Sequence, residues 1–131
     1  MQQEFKFLGK PVTAPSKELD TFSKPDHVTL VKFESNELTS FCPITGQPDF
    51  STVVIEYAPD QLCVESKSLK LYLWTFREAH IFGEGLASEI AKDISNTISP
   101  KWCKVTLIQN IRGGLQLTAV AEIHKEGTNE G

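Results

Sequence analysis

Apolar positions change their spacing along the chain, and each change marks an element. Val28, Thr29, Leu30, Val31 and Phe33 make His27–Phe33 a β-branched, apolar run that predicts a strand, and Val53–Tyr57 predicts a second. Between them lies a turn-rich stretch, Cys42-Pro43-Ile44-Thr45-Gly46-Gln47-Pro48-Asp49. After Pro59-Asp60 the period lengthens. Leu69, Leu73 and Phe76, with Tyr72 beside them, recur at helical spacing, and Leu86, Ile90, Ile94 and Ile98 do so again after the break at Gly83 and Gly85. Ser99-Pro100 ends the second helix. Cys103, Val105 and Leu107 then alternate with Lys104 and Thr106, and beyond the turn Arg112-Gly113-Gly114 the residues Leu115, Leu117, Ala119, Ala121 and Ile123 alternate with Gln116, Thr118, Glu122 and His124.

The order ββααββ predicts an α+β domain: an antiparallel four-stranded sheet with two helices on one face. Residues 1–26 carry Gly9, Pro11, Pro15 and Pro25 without periodicity and read as an N-terminal arm, 27–124 as one domain, and 125–131 as a short polar tail. A four-stranded sheet leaves two edges, which invites pairing between subunits, so a homo-oligomer is expected.

Composition narrows the functions. A chain of 131 residues, 40% hydrophobic and 23% charged, holds one packed core. Thirteen basic against 17 acidic residues give net charge −4, so no overall positive field exists to hold a polyanion, and stable nucleic-acid or anionic-membrane binding is not expected. Apolar runs such as Leu71-Tyr72-Leu73-Trp74 fall far short of the roughly 20 residues needed to span a bilayer. With no secretory pattern in the opening residues, the expected location is cytoplasmic.

Cys42, Cys63 and Cys103 are odd in number and lack metal-ligand spacing, which favours free thiols. His27, His80 and His124 stand far apart, so no metal site is expected. Cys42 lies in a proline-bounded loop seven residues before Asp49, and both are residue types suited to covalent or proton-transfer work. The same pattern also suits a small buried thiol and a turn-forming Asp, and spacing leaves both open. Cys63 and Cys103 fit structural positions. Ser66, Lys67, Ser68 and Lys70 open a helix, where backbone amides and the dipole favour an anion; capping by Ser66 beside a solvated lysine face is the plainer alternative. Glu84, between Gly83 and Gly85, suits either a dipole partner or a ligand clamp.

Three segments together, Phe41–Phe50, Val64–Tyr72 and Arg112-Gly113-Gly114, resemble the NADPH-dependent 7-cyano-7-deazaguanine reductases, QueF-type nitrile reductases of queuosine biosynthesis in tRNA modification. The likeness runs from about His27 to Ile123 and is to the short, single-module form. It implies the tunnelling fold (T-fold), in which ββααββ units form a barrel with active sites shared between subunits. It implies Cys42 as the nucleophile that forms a thioimide with the nitrile, and Asp49 as the proton donor. Val64, Glu65, Ser66 and Glu84 would contact 7-cyano-7-deazaguanine, and Ser66, Lys67, Ser68, Lys70 and Arg112 would hold NADPH. One departure matters here: the family carries His immediately before the binding glutamate, where this chain has Gly83. A second is Leu86, at a position where some members carry a cysteine that can pair with the nucleophile. The alternatives are a QueF-like amidinotransferase acting on the same nitrile in tRNA, and a non-catalytic assembly subunit of the same fold.

Overall fold

A computed structural model of the chain describes residues 16–126; residues 1–15 of the expected arm and 127–131 of the tail lie outside the described residues. The chain runs β1 (Thr21–Ser23), β2 (Val31–Phe41), β3 (Pro48–Ala58), β4 (Leu62–Val64), α1 (Ser66–Trp74), a 3₁₀ turn (Thr75–Glu78), α2 (Gly83–Ile98), β5 (Trp102–Gln109) and β6 (Thr118–His124). The main sheet has the order β2-β3-β5-β6, antiparallel throughout. This is the expected ββααββ unit, with the helices connecting the two middle strands.

Four details differ from the sequence pattern. The first strand begins at Val31 rather than His27, because His27 takes a left-handed backbone conformation (φ 73) in the turn before it. A second, two-stranded sheet pairs β1 with β4, tying residues 21–23 of the expected arm to the segment that leads into α1. Gly83 and Gly85 do not interrupt the chain; they lie in the first turn of α2, where missing side chains cost a helix least. Residues 112–115 form a two-residue hairpin turn, with Arg112 and Leu115 exchanging backbone hydrogen bonds. Gly113 and Gly114 both have positive φ, as such turns require, so β6 starts only at Thr118.

Packing follows the periods. Leu86, Ala87, Ile90, Ala91, Ile94 and Ile98 make one fully buried stripe on α2, which lies across β5 and β6 and shares a core with Val105, Leu107, Ala119 and Ala121. Ser99, with φ 45, ends α2 by returning its amide to the Ser95 carbonyl, and Pro100 blocks continuation. Within β2 the register with β3 shifts between Ser35 and Leu38, a bulge around Asn36 and Glu37. Before it Val31 and Phe33 pack against the core; after it Leu38 and Ser40 face inward. One extra residue therefore reverses which side of the strand faces the helices.

Candidate functional site

At the ends of β2 and β3, residues 42–47 form a compact loop. The Cys42 amide donates to the Gln47 carbonyl at 2.9 Å, and the Gly46 amide to the Cys42 carbonyl at 2.9 Å. Gly46 has φ 71, a conformation that favours glycine. The turn wraps the thiol: the Thr45 hydroxyl, then the backbone amides of Thr45 and Ile44, hydrogen-bond the sulfur and hold its pKa below the usual thiol value, against opposing contributions from desolvation and the nearby Asp49 charge. The other two cysteines differ in kind. Burial raises the Cys63 thiol, and pushes Cys103 up to about 11. All three are free, but only Cys42 is both half-exposed and electrostatically favoured as thiolate.

Asp49 sits opposite Ser40 in the β2–β3 register and is 7% exposed. Its carboxylate accepts from Arg112 Nη1, and Arg112 Nη2 donates to the Gln47 side chain. The glycine hairpin turn thus brings Arg112 across to the Cys42 loop, where it pairs with Asp49. Cys42 and Asp49, neighbours on one loop, are thus joined by Arg112 from 63 positions further along the chain.

The segment 64–70 divides by direction. Val64 and Glu65 are buried. Glu65 is the N-cap of α1, its carboxylate accepting from the Lys67 and Ser68 amides at 2.8 Å each, so Glu65 rather than Ser66 caps this helix. Ser68 is fully buried, its hydroxyl donating to the Glu65 carbonyl (2.8 Å) and accepting from the Asp20 amide (2.9 Å). The free amides that the sequence offers to an anion are therefore already taken up by Glu65. Ser66 and Lys70 point the other way, lining a groove of about 1080 Å³ between β2 and α1 with Leu69, Leu73, Trp74 and Arg77. Lys67 does not line it. A smaller hollow shares Thr39, Trp74 and Arg77 with this groove and reaches Phe41, the neighbour of Cys42.

Glu84 is exposed in the first turn of α2. The approach to that helix runs beside the Cys42 strand: the Phe41 amide donates to the Ala79 carbonyl (2.8 Å), the Ile81 amide donates to the Phe41 carbonyl (3.0 Å), and the His80 and Phe41 rings meet at a 44° tilt with centroids 5.2 Å apart. Thr45, Gln47 and His80 were not legible as site residues in the sequence. Thr45 and Gln47 lie inside the Cys42–Asp49 loop, yet only the folded turn shows which groups reach the sulfur and Arg112. Among the described residues no cluster of His, Cys, Asp and Glu is arranged to hold a metal, and no helix is long and apolar enough to cross a membrane.

Comparison with known proteins places relatives beside this geometry. A family model described as "QueF-like protein" matches residues 48–128. An NADPH-dependent 7-cyano-7-deazaguanine reductase of Syntrophus aciditrophicus is 47% identical over 115 residues, 86% of this chain and 82% of its own length. Proteins of the same name from Alkalilimnicola ehrlichii (44% identical, 88% of this chain and 91% of that one) and Halorhodospira halophila (44%, 86% and 97%) are also similar. Among solved structures, an archaeosine synthase QueF-Like crystallised in the apo form superposes with a TM-score of 0.68 at 26% identity, covering 77% of this chain and 97% of that one.

Proposed function

The chain belongs to the QueF-like family, and from that premise we propose that it reduces the nitrile of 7-cyano-7-deazaguanine to the primary amine through a covalent intermediate on Cys42. It is an NADPH-dependent 7-cyano-7-deazaguanine reductase of queuosine biosynthesis, built on the tunnelling fold. The observation that supports Cys42 is its turn: two backbone amides and a hydroxyl directed at a half-exposed sulfur, while the other two thiols are buried and pushed up.

A nitrile carbon calls for a soft, strong nucleophile, and a thiolate is the best a protein offers. In the proposed step the Cys42 thiol proton passes to the Asp49 carboxylate, the sulfur bonds to the nitrile carbon, one C–N π pair moves to nitrogen, and Asp49 returns that proton to the nitrogen, leaving a thioimide. In the substrate-free chain the Asp49 carboxylate is held by Arg112, so that pair must open before Asp49 can take the thiol proton. Glu84, exposed in the first turn of α2, accepts two parallel hydrogen bonds from the amidine-like edge of the base. Ser66 is the member of the 64–66 segment still open to a ligand, whereas Val64 and Glu65 hold the turn that presents it.

NADPH, when bound, supplies the hydrides. The groove between β2 and α1 fits such a molecule: Ser66, Lys70 and Arg77 suit phosphates, the apolar wall of Leu69, Leu73 and Trp74 suits rings, and the adjoining hollow leads toward Cys42. Lys67 and Arg112 would join from outside the groove, and Ser68 contributes by fixing the start of α1. The strands β2 and β6, each paired on one side only among the described residues, support a homo-oligomer whose sites are shared between subunits.

A second reading, nitrile chemistry without reduction, is favoured by the archaeosine synthase likeness, which is weaker in identity than that to the reductases. One experiment separates them. Purified protein should consume NADPH only when 7-cyano-7-deazaguanine is present, and without NADPH intact-mass spectrometry should show one adduct per chain, lost in Cys42→Ala and kept in Cys63→Ala and Cys103→Ala. An adduct with no NADPH consumption would favour the second reading; an adduct surviving Cys42→Ala would remove the nucleophile assignment.

A further inference from the structure

The helix-facing side of the sheet is apolar along most of its length and polar at the end that carries Asp49. Among the described residues, the buried side-chain polar atoms without a hydrogen-bond partner are Ser40 Oγ, Ser51 Oγ, Ser95 Oγ and Gln109 Nε2. Three of these lie in register. Ser40 is opposite Asp49, Ser51 is two residues further along the same face of β3, and Gln109 is opposite Ser51. Buried polar groups are nearly always partnered, so such a row marks a place where a ligand or water supplies the partners.

The row ends against Gly83. A Cβ placed there would lie 2.7 Å from Leu117 Cδ2 and 3.0 Å from Gln109 Nε2, so the carboxamide and the leucine occupy the room a side chain at 83 would need. The histidine carried at this place by the resembled family is absent here, the ends of two flexible side chains fill the room it would take, and one of them is a neutral donor. Glu84 follows directly. A carboxylate only accepts, so it matches the N1–H and 2-amino groups of a guanine-like edge; the next group along that edge is a carbonyl oxygen, which needs a donor.

We propose that Gln109 is a specificity-determining residue whose Nε2 donates to the ring carbonyl of the deazaguanine base beside Glu84. The inference rests on the reading of Glu84 given above. The amide donor fills the space a Cβ at Gly83 would enter, one residue from Glu84, and it has no hydrogen-bond partner among the described residues. Nothing covalent is involved; the contact selects a base with an oxygen acceptor at that position.

The test compares 7-cyano-7-deazaguanine with its 6-thio analogue, which keeps N1–H and the amino group for Glu84 but offers sulfur, a weak acceptor. In Gln109→Leu, kcat/KM for the natural substrate should fall roughly 10–100-fold, mostly through KM, the usual scale for a buried hydrogen bond lost from a binding site. For the thio analogue, already the poorer substrate of the unaltered enzyme, the same change should cost under about 3-fold. Gln109→Met, closer in volume, should reproduce the pattern if the donor matters and Leu117 packing does not. Equal losses for both compounds, or no loss for either, overturn the proposal. Absence of any adduct or NADPH consumption with unaltered protein would instead defeat the reductase reading, and this inference with it.

Discussion

Glu65→Gln separates a structural from a ligand-binding use of one carboxylate. Glu65 is 6% exposed, and both its oxygens accept backbone amides at the start of α1, at 2.8 Å each. The glutamine can accept with its single oxygen, but it turns an N–H₂ toward the other amide, replacing a charge-assisted bond by two donors facing each other. Losing one such bond and weakening the other amounts to about 2–3 kcal/mol, little reduced by solvent screening at so buried a site. At about 3–4 °C per kcal/mol for a chain of this size, the melting temperature should fall by roughly 6–12 °C. The backbone bonds that bring Asp20 to this corner should loosen as well, because the Glu65 amide donates to Asp20 and the Asp20 amide donates to Ser68. The assay is thermal unfolding by circular dichroism at fixed protein concentration, since an oligomer melts according to its concentration, paired with binding of 7-cyano-7-deazaguanine measured well below the melt. Affinity should change less than about 3-fold if the carboxylate serves the helix. An unchanged melting temperature with substrate affinity lost more than about 10-fold would refute the reasoning and return Glu65 to the base-binding set.

Thr45→Val removes the hydroxyl that contributes most to lowering the Cys42 pKa, so the thiolate should form at higher pH and the pH profile of iodoacetamide labelling at Cys42 should move upward; an unmoved profile would mean that the turn does not activate this thiol. Asp49→Asn should slow turnover by roughly 10²–10⁴-fold with a much smaller change in substrate affinity, and near-normal turnover would reduce Asp49 to a partner of Arg112. Lys70→Glu should raise the KM for NADPH while the adduct formed without NADPH survives; loss of both would place the groove's role elsewhere. Inactive Cys42→Ala and Glu84→Ala chains, unfolded together and reassembled, should regain part of the activity if these residues meet across a subunit interface, and complementation absent from demonstrably mixed oligomers would place them in one chain's site.

Much of this protein was determined by local pattern. The stripe Leu86, Ile90, Ile94, Ile98 must be buried against an apolar surface, and the alternation through Cys103, Val105 and Leu107 supplies a sheet for it, because side-chain period follows directly from backbone geometry. The segments carrying Cys42, Asp49 and the 64–70 stretch were also legible as candidates, being short and contiguous. Direction and partnership were not. The bulge near Asn36 decides that Ser40, and the turn after it, starts from the helix-facing side, and a bulge is a pairing event between two strands rather than a property of either. Glu65, read as a ligand contact, is also the cap of α1, and Ser68, read as a phosphate contact, is fully buried against a segment some fifty residues earlier in the chain. Arg112 reaches Asp49 across 63 positions only because two consecutive glycines fold the hairpin back, and Gln109 meets Gly83 only because β5 and α2 pack together. Sequence spacing records periods within one element; which side chains face one another across elements is set by register, bulges and packing, and these exist only once the chain has closed on itself.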